Sequence, residues 1–560
     1  MTADRVRRTL ILSARAGARR ERALRRVLGA AATVRDPATP LHDLRRFDTV
    51  VLDGTPALDD GGVGLLRDHV SAGATLIAIG VAPERGTALH ALLGAHTAAP
   101  ALPEGEVFAK VSARHDPLVR RLDPEFAVVD SFTPLEPVNG VMTALLHVNV
   151  AHRDHPAALS GRVGRGRVVV TALGSADRAL DAAPLATLLR RAARGEDVVP
   201  AEETPFGLAV LGYGPYGGMG YAHGIAARDT DGLRFVAACD RSDERRAAAQ
   251  VEFPGVRAVG SAAEIASDPD VDVVVIATPP VQHADLALSM LRAGKHVVVE
   301  KPMCFTVAQA DALIGAAREN GVVLTVHQNR RWDQDFLALR RAVESGSVGE
   351  LFNVETFVGG FDHPCRAWHS DADHSGGALY DWGSHHVDWI LQLLGDVPAA
   401  VGCGGHKRVW HDVTNHDQVR LRMAWSDGRE AEFLQSDVAG VRRPKFYVQG
   451  TAGTVVGWYR PVAFERIEPG RGYVREVAHH AEAPVELTAV RYDSGYGLVE
   501  CHLPPAPEQR FAFHRNLADH LHLGEPLAVT PESVRCVVAV LEAGAESLRR
   551  GGASVTVAQV

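Results

Sequence analysis

The chain has 560 residues, of which 46% are hydrophobic and 23% charged, and a formal net charge of -9. That length exceeds what one hydrophobic core supports and predicts about three domains, while the acidic balance leaves no electrostatic footprint for nucleic acid. No apolar run is long enough to span a bilayer or to form a signal-peptide core, so we expect a cytoplasmic protein, and six scattered cysteines without a CxxC pair fit reduced thiols there.

From the N-terminus, strand-like runs at Thr9 to Leu12, Thr49 to Leu52, Thr75 to Ile79 and Arg167 to Thr171 alternate with helical segments rich in Ala, Leu and Arg. This predicts a parallel, flavodoxin-type α/β domain over residues 1–198. Phe47-Asp48 before a strand, a helix ending at Gly73, the strand to Gly80 and the segment Gly164 to Arg167 together resemble the ThuA-like (trehalose utilisation) branch of the glutamine amidotransferase-like fold. Amidotransferases place a nucleophilic cysteine on the turn after such a strand. Here the turn reads Gly80, Val81, Ala82, Pro83 and no cysteine precedes Cys239, which sets thiol hydrolysis aside. His90, His96, His115 and His147 are the remaining polar candidates, each read first as a surface histidine. The resemblance implies an accessory or keto-sugar-related role.

An acidic, proline-bearing linker follows between Gly195 and Pro205. Residues 205–328 then read as a Rossmann dinucleotide-binding domain. The apolar run Leu208 to Leu211 breaks into a turn holding Gly212, Gly214, Pro215, Tyr216 and Gly217, and a second run, Leu233 to Ala238, leads to Asp240. Gly212 permits the sharp turn, Gly214 lets backbone approach a pyrophosphate and Gly217 seats the helix on the strand. Asp240 is placed to accept hydrogen bonds from an adenosine ribose. Its carboxylate repels a 2′-phosphate, so NAD is preferred, yet Arg241, Ser242, Arg245 and Arg246 could accommodate one and NADP stays open. Further strands end in Thr278-Pro279-Pro280 before a helix from His283, in Glu300-Lys301-Pro302, and in His327 to Trp332.

Beyond residue 350 the apolar period changes to two: Val419, Leu421, Met423; then Glu432 to Leu434; then Phe446 to Val448. Turn signals at Asp427-Gly428 and Gly450 to Gly453 separate these runs, predicting a large, mostly antiparallel sheet in an α+β domain over 329–560. A last helix at Pro531 to Arg549 reads as core packing.

The glycine turn with His223, Ala277 to Pro280 with His283, the Glu-Lys-Pro segment, Asn329 to Trp332, and Gly376-Gly377 followed by Asp381, Gly383, His385 and Asp388 together resemble the Gfo/Idh/MocA oxidoreductase family over 206–560. The resemblance implies catalytic roles for Lys301, Asp381 and His385. It implies a cofactor site drawn from the glycine turn, Asp240, Arg241, Thr278, Pro279, Pro280, His283, Glu300, Lys301, Gln328, Arg331 and Trp332. It also implies a sugar, glycoside or cyclitol substrate, no membrane or nucleic-acid partner, and subunits paired through the large sheet as a dimer or tetramer. The residue types suit that chemistry: oxidising a carbinol needs a base for the proton and a cation beside the developing alkoxide.

The bland readings are a surface lysine at 301 and, at 381 and 385, a helix cap with a solvated histidine. An NAD-dependent glycosidase or epimerase with transient oxidation, and a lapsed dinucleotide-binding scaffold, are the alternatives at the level of function. Retention of Lys301, Asp381 and His385 together argues against the scaffold. His363, His369 and His374 with Cys365 and Asp371 match no zinc spacing, so no metal ligands are assigned. The resemblance instead gives Trp368 and His369 to substrate binding, and His386 is read as structural.

Overall fold

Four of the apolar runs in the first 200 residues lie side by side. In the computed structural model, which describes residues 8–558 apart from 16, 30, 56, 82, 98–101, 139–141, 151–152, 196–203, 216–217, 366–367, 469–471, 480–482 and 507, Thr9–Ser13, Thr49–Asp53, Thr75–Ile79 and Gly166–Thr171 are parallel neighbours. With Thr33–Arg35 outside the first of them, the order is the flavodoxin-type 2-1-3-4-5. Almost every residue of the four is buried, as expected of parallel strands covered on both faces. Between the fourth and fifth parallel strands the chain inserts Leu102–Val111, Glu125–Phe132, Met142–Val150 and Arg153–Val163, antiparallel strands that extend the sheet to nine. The sequence reading did not name them. Alternate residues of Glu125–Phe132 are only part-buried, and its one apolar stretch, Phe126 to Val129, is short and flanked by acidic residues.

The chain divides into two compact units, 1–202 and 203–560; most of the expected linker, 196–203, lies outside the described residues, as do Tyr216 and Gly217 of the glycine turn. In the second unit, Arg257–Val259, Leu233–Cys239, Phe206–Leu211, Val273–Ile276, His296–Val299 and Leu324–Val326 form one parallel sheet in that order. This is the Rossmann order 3-2-1-4-5-6, whose direction switches between Phe206–Leu211 and Val273–Ile276, and ligands bind at such a point outside the carboxyl ends of the strands. The glycine turn, Asp240, Thr278, Glu300, Lys301 and His327 all follow those ends.

A larger sheet of the same unit has nine strands, and Pro461–Glu468 and Gly472–His479 pair separately. It is antiparallel except for Leu351–Gly359 beside Glu430–Ser436, which run parallel. Leu421, Phe433 and Val448 of the sheet share a core with Val387 and Ile390 of the helix Gly383–Leu394 and with Val537, Val540 and Leu541 of Pro531–Arg549. Val534 and Val538 of that last helix belong to the Rossmann core instead, together with Phe513, Leu517 and Ala518 of the helix Ala512–Leu523. The two cores of the second unit therefore share a helix and do not part cleanly at residue 328.

Candidate active site

Gly212 has φ +89°, and a Cβ there would stand 2.8 Å from the carbonyl oxygen of Ala277. Only glycine lets the two strand ends at the switch point approach this closely. Gly214, at φ +72°, has no atom of the described residues within 4 Å of the Cβ position, which leaves the room over the backbone that a pyrophosphate needs. The helix Met219–Asp229 begins after Gly218 with no side-chain cap, so its first N–H groups are available to an anion. Gly220 seats it tightly, since a Cβ there would fall 2.1 Å from the Tyr213 carbonyl oxygen; Gly217, expected to do so, lies outside the described residues. Asp240 accepts from the amide of Gly214 at 3.0 Å and from that of Ser242 at 2.9 Å, while Arg245 stands 3.7 Å away. The chain thus supplies a turn, an open helix end and an acid that suit a dinucleotide.

Lys301 Nζ lies 2.6 Å from Asp381 Oδ1 and 3.1 Å from the Asp381 carbonyl oxygen. Burial raises the Asp381 carboxyl, but the charge and hydrogen bond of Lys301 outweigh it and hold the group below the usual carboxylate range. Asp381 and His385 do not share one helix, as i and i+4 spacing had implied. Ala378–Asp381 ends at Asp381 and Gly383–Leu394 begins after Trp382. The physical reason lies at one carbonyl: that of Asp381 accepts from Lys301 Nζ and from Ser384 Oγ, and the His385 amide donates to Trp382 instead.

His385 is 4% exposed, and its Nδ1 lies 3.1 Å from Gln328 Oε1. Gln328 Nε2 in turn donates to the Ser384 carbonyl, which turns its oxygen to the histidine. Nδ1 therefore carries the ring proton and Nε2 keeps a lone pair. Burial, and then the charges of Lys301 and Arg330, hold the His385 pKa far below its ordinary value, so the ring rests neutral. His386 is enclosed by Trp389 and Phe433, with ring centroids 4.8 and 4.9 Å away.

Other cofactor candidates have structural partners. His283 sets its two ring nitrogens 2.7 and 2.8 Å from the carbonyl oxygens of Thr278 and Pro302, clamping two neighbouring strand ends together. Arg331 grips Asp388 with two hydrogen bonds of 2.8 and 2.6 Å inside the protein and donates to the Ala528 carbonyl and to Ser533. Glu300 accepts from His223 and His327, each at 2.8 Å. Trp332 meets Phe513 edge-on and lines a cavity of about 770 Å³ shared with Met219, Asn329 and Phe511.

Two further groups, one coupled to Asp381 and one bonded to His369, carry no motif that could have flagged them. Burial, reinforced by repulsion from Asp417, Asp381 and Asp362, pushes the Asp437 carboxyl up to about 7. Asn415 donates to the His369 carbonyl while its buried Oδ1 has no partner among the described residues. His369 stacks on Trp368 at 3.7 Å and feels the charges of Asp381 and Lys301. The neighbouring polar groups diverge: His363 lies 2.9 Å from Asp412, and His374 lies 2.9 Å from Asp371.

In the first unit, His96 stands 3.0 Å from Glu136 with its ring against His90, His147 meets Ser112 and His115 is exposed. None of these contacts reaches the turn after Thr75–Ile79, whose Gly80 carbonyl accepts from Arg15.

The sequence profile described as the oxidoreductase family, NAD-binding Rossmann fold, matches residues 206–328, and that of the GFO/IDH/MocA C-terminal domain matches 336–456. The scyllo-inositol 2-dehydrogenase (NADP(+)) IolW of Bacillus subtilis (strain 168) is 26% identical over 344 residues, covering 61% of this chain and 93% of that enzyme. The 1,5-anhydro-D-fructose reductase of Ensifer adhaerens is 30% identical over 235 residues, covering 42% of this chain and 71% of the reductase. Among solved structures, an NAD-binding protein from Listeria innocua superposes with a TM-score of 0.53 at 28% identity, covering 63% of this chain and 97% of that one. No helix among the described residues is long and apolar enough to cross a membrane.

Proposed function

We propose that this chain, which belongs to the Gfo/Idh/MocA family of NAD-binding oxidoreductases, oxidises a hydroxyl of a sugar, glycoside or cyclitol. The observation that carries the reading is the convergence of Lys301, Asp381 and His385 at the sheet edge that also bears the glycine turn. Bound NAD supplies the two-electron acceptor. His385 Nε2, left with a lone pair by the Gln328 bond, takes the proton of the substrate hydroxyl. Lys301, fixed by Asp381, sets a positive charge beside the oxygen as negative charge develops there. Trp368, His369 and Asn415 contact the rest of the ring. NAD is preferred over NADP because Asp240 presents a carboxylate where a 2′-phosphate would lie.

Residues 1–198 form a ThuA-like domain of accessory or keto-sugar-related role, and 205–328 and 329–560 are the cofactor and substrate domains. Tyr492 and Leu498, opposite each other on adjacent strands and 71% and 76% exposed, suit a large sheet that pairs subunits. Light scattering at micromolar concentration is expected to show a dimer or tetramer, and a monomer mass removes that role. The deciding experiment is a panel of sugars and cyclitols assayed for NADH and NADPH formation, with product analysis, on the full chain and on a chain beginning at Ala201. Reduction of cofactor with none of them overturns the reading; identical products from both chains exclude product processing by the first unit.

A further inference from the structure

Glu300 and three histidines make a second polar centre that the hydride-transfer reading does not use. His223, His327 and His514 are 1%, 6% and 4% exposed. Their ring centroids lie 4.5, 5.1 and 5.5 Å apart, and one nitrogen from each falls within 4.8 Å of the others. They come from the helix Met219–Asp229, the turn after Leu324–Val326 and the helix Ala512–Leu523. All three also border the 770 Å³ cavity.

Glu300 orders the group. Its Oε1 accepts from His223 Nε2 and from His327 Nδ1, both at 2.8 Å. A carboxylate that holds the outer nitrogen of an imidazole fixes the tautomer and turns the other nitrogen's lone pair inward, the arrangement found behind metal-bound histidines. His223 Nδ1 is thereby left as an acceptor, 2.9 Å from His514 Nε2. We propose that His223, His327 and His514 bind one divalent transition-metal ion of the zinc class, with Glu300 as the carboxylate behind two of the ligands and the fourth position open to the cavity.

A tetrahedral ion with metal–nitrogen bonds of about 2.0–2.1 Å sets its ligand nitrogens roughly 3.4 Å apart, a spacing that the three rings reach by small rotations once the single ring proton of His514 moves from Nε2 to Nδ1. Burial holds His223 and His514 below their ordinary pKa, and a neutral ring is the form that ligates. Such an ion would pin the helix Ala512–Leu523 to the Rossmann sheet. None of its ligands is Lys301, Asp381 or His385, so the site stands or falls apart from the proposed reaction.

The test uses the full chain, stripped with a chelator and titrated with Co²⁺ and then Zn²⁺ alone. We expect one equivalent of Co²⁺ to develop visible d–d absorption, Zn²⁺ to displace it, and the melting temperature to rise with either ion. Glu300→Gln should weaken binding about 10- to 100-fold, as loss of an outer carboxylate does, and His514→Ala and His327→Gln by at least as much. Absence of stoichiometric Co²⁺ absorption in the wild type overturns the proposal. So does uptake that persists unchanged in His327→Gln, which keeps a polar side chain in place should His514→Ala fail to fold.

Discussion

Glu300 and Lys301 are chain neighbours just past the same strand, yet they serve different centres. Glu300 is 7% exposed and meets only histidines and backbone, whereas the Lys301 side chain is 23% exposed and meets Asp381. Successive side chains of an extended backbone point to opposite sides, so one peptide step separates a closed centre from an open one. Environment decides what each charge does. In the closed centre burial pushes the Glu300 carboxyl up, but His327 and the hydrogen bonds of both histidines overcome it and keep it anionic. At the open centre the cation is paired with Asp381 and stays partly exposed.

Substitution at the open centre should show in turnover. Lys301→Ala is expected to lower kcat by about 10²- to 10⁴-fold, the usual contribution of a positioned proton-transfer group, with NAD affinity and the melting temperature little changed. Steady-state rates within a few-fold of wild type would place the chemistry elsewhere.

Asp437 sharpens the contrast through pH. Its folded pKa of about 7 lies above that of an unfolded carboxyl, so the folded state favours the protonated form. The associated stability is fully present below about pH 4 and is lost as pH rises through 7. The loss has an upper bound of about 4 kcal/mol. Asp437→Asn should remove this dependence and raise the melting temperature above wild type at pH 8 but not at pH 4; parallel curves for the two proteins would refute the placement.

At the closed centre the readout is stability. Glu300→Gln in metal-free protein should cost about 1.5–3 kcal/mol in denaturant unfolding, the scale for hydrogen bonds to a charged group; an unchanged midpoint would show that the histidines need no anion.

The smallest effect concerns cofactor choice. Asp240→Ala should weaken NAD about tenfold, the scale of a lost hydrogen bond or two. NADP should weaken less, because the variant loosens the Gly214 turn for both cofactors but removes repulsion for only one. Equal losses by calorimetry would detach Asp240 from the ribose.

The strands were legible where their signal is local. Thr49–Asp53 and Thr75–Ile79 are buried throughout because both faces are covered, and the glycine turn is confined to a few adjacent positions. The strands from Leu102 to Val163 mix buried with part-exposed positions, so their short apolar stretches, such as Phe126 to Val129, stand among polar residues. Contacts across long stretches of chain were not legible either: His514 is 291 residues from His223, and no spacing rule links them. The residue types at Lys301, Asp381 and His385 suited the chemistry, but the helix break at Trp382 depends on a lysine 80 residues earlier competing for the Asp381 carbonyl. Asp437 follows an ordinary strand, and only its burial and the surrounding carboxylates single it out.

The helix Pro531–Arg549 gives Val534 and Val538 to the Rossmann core and Val537, Val540 and Leu541 to the sheet core. On the ribosome the glycine turn and all six parallel strands emerge some 200 residues before that helix, so the nucleotide-binding half must wait with an open apolar face until synthesis passes residue 540. Domains that fold as they emerge shelter their surfaces early; this one keeps an apolar face open until Pro531–Arg549 arrives, which makes that interval a point of exposure to aggregation and to chaperones.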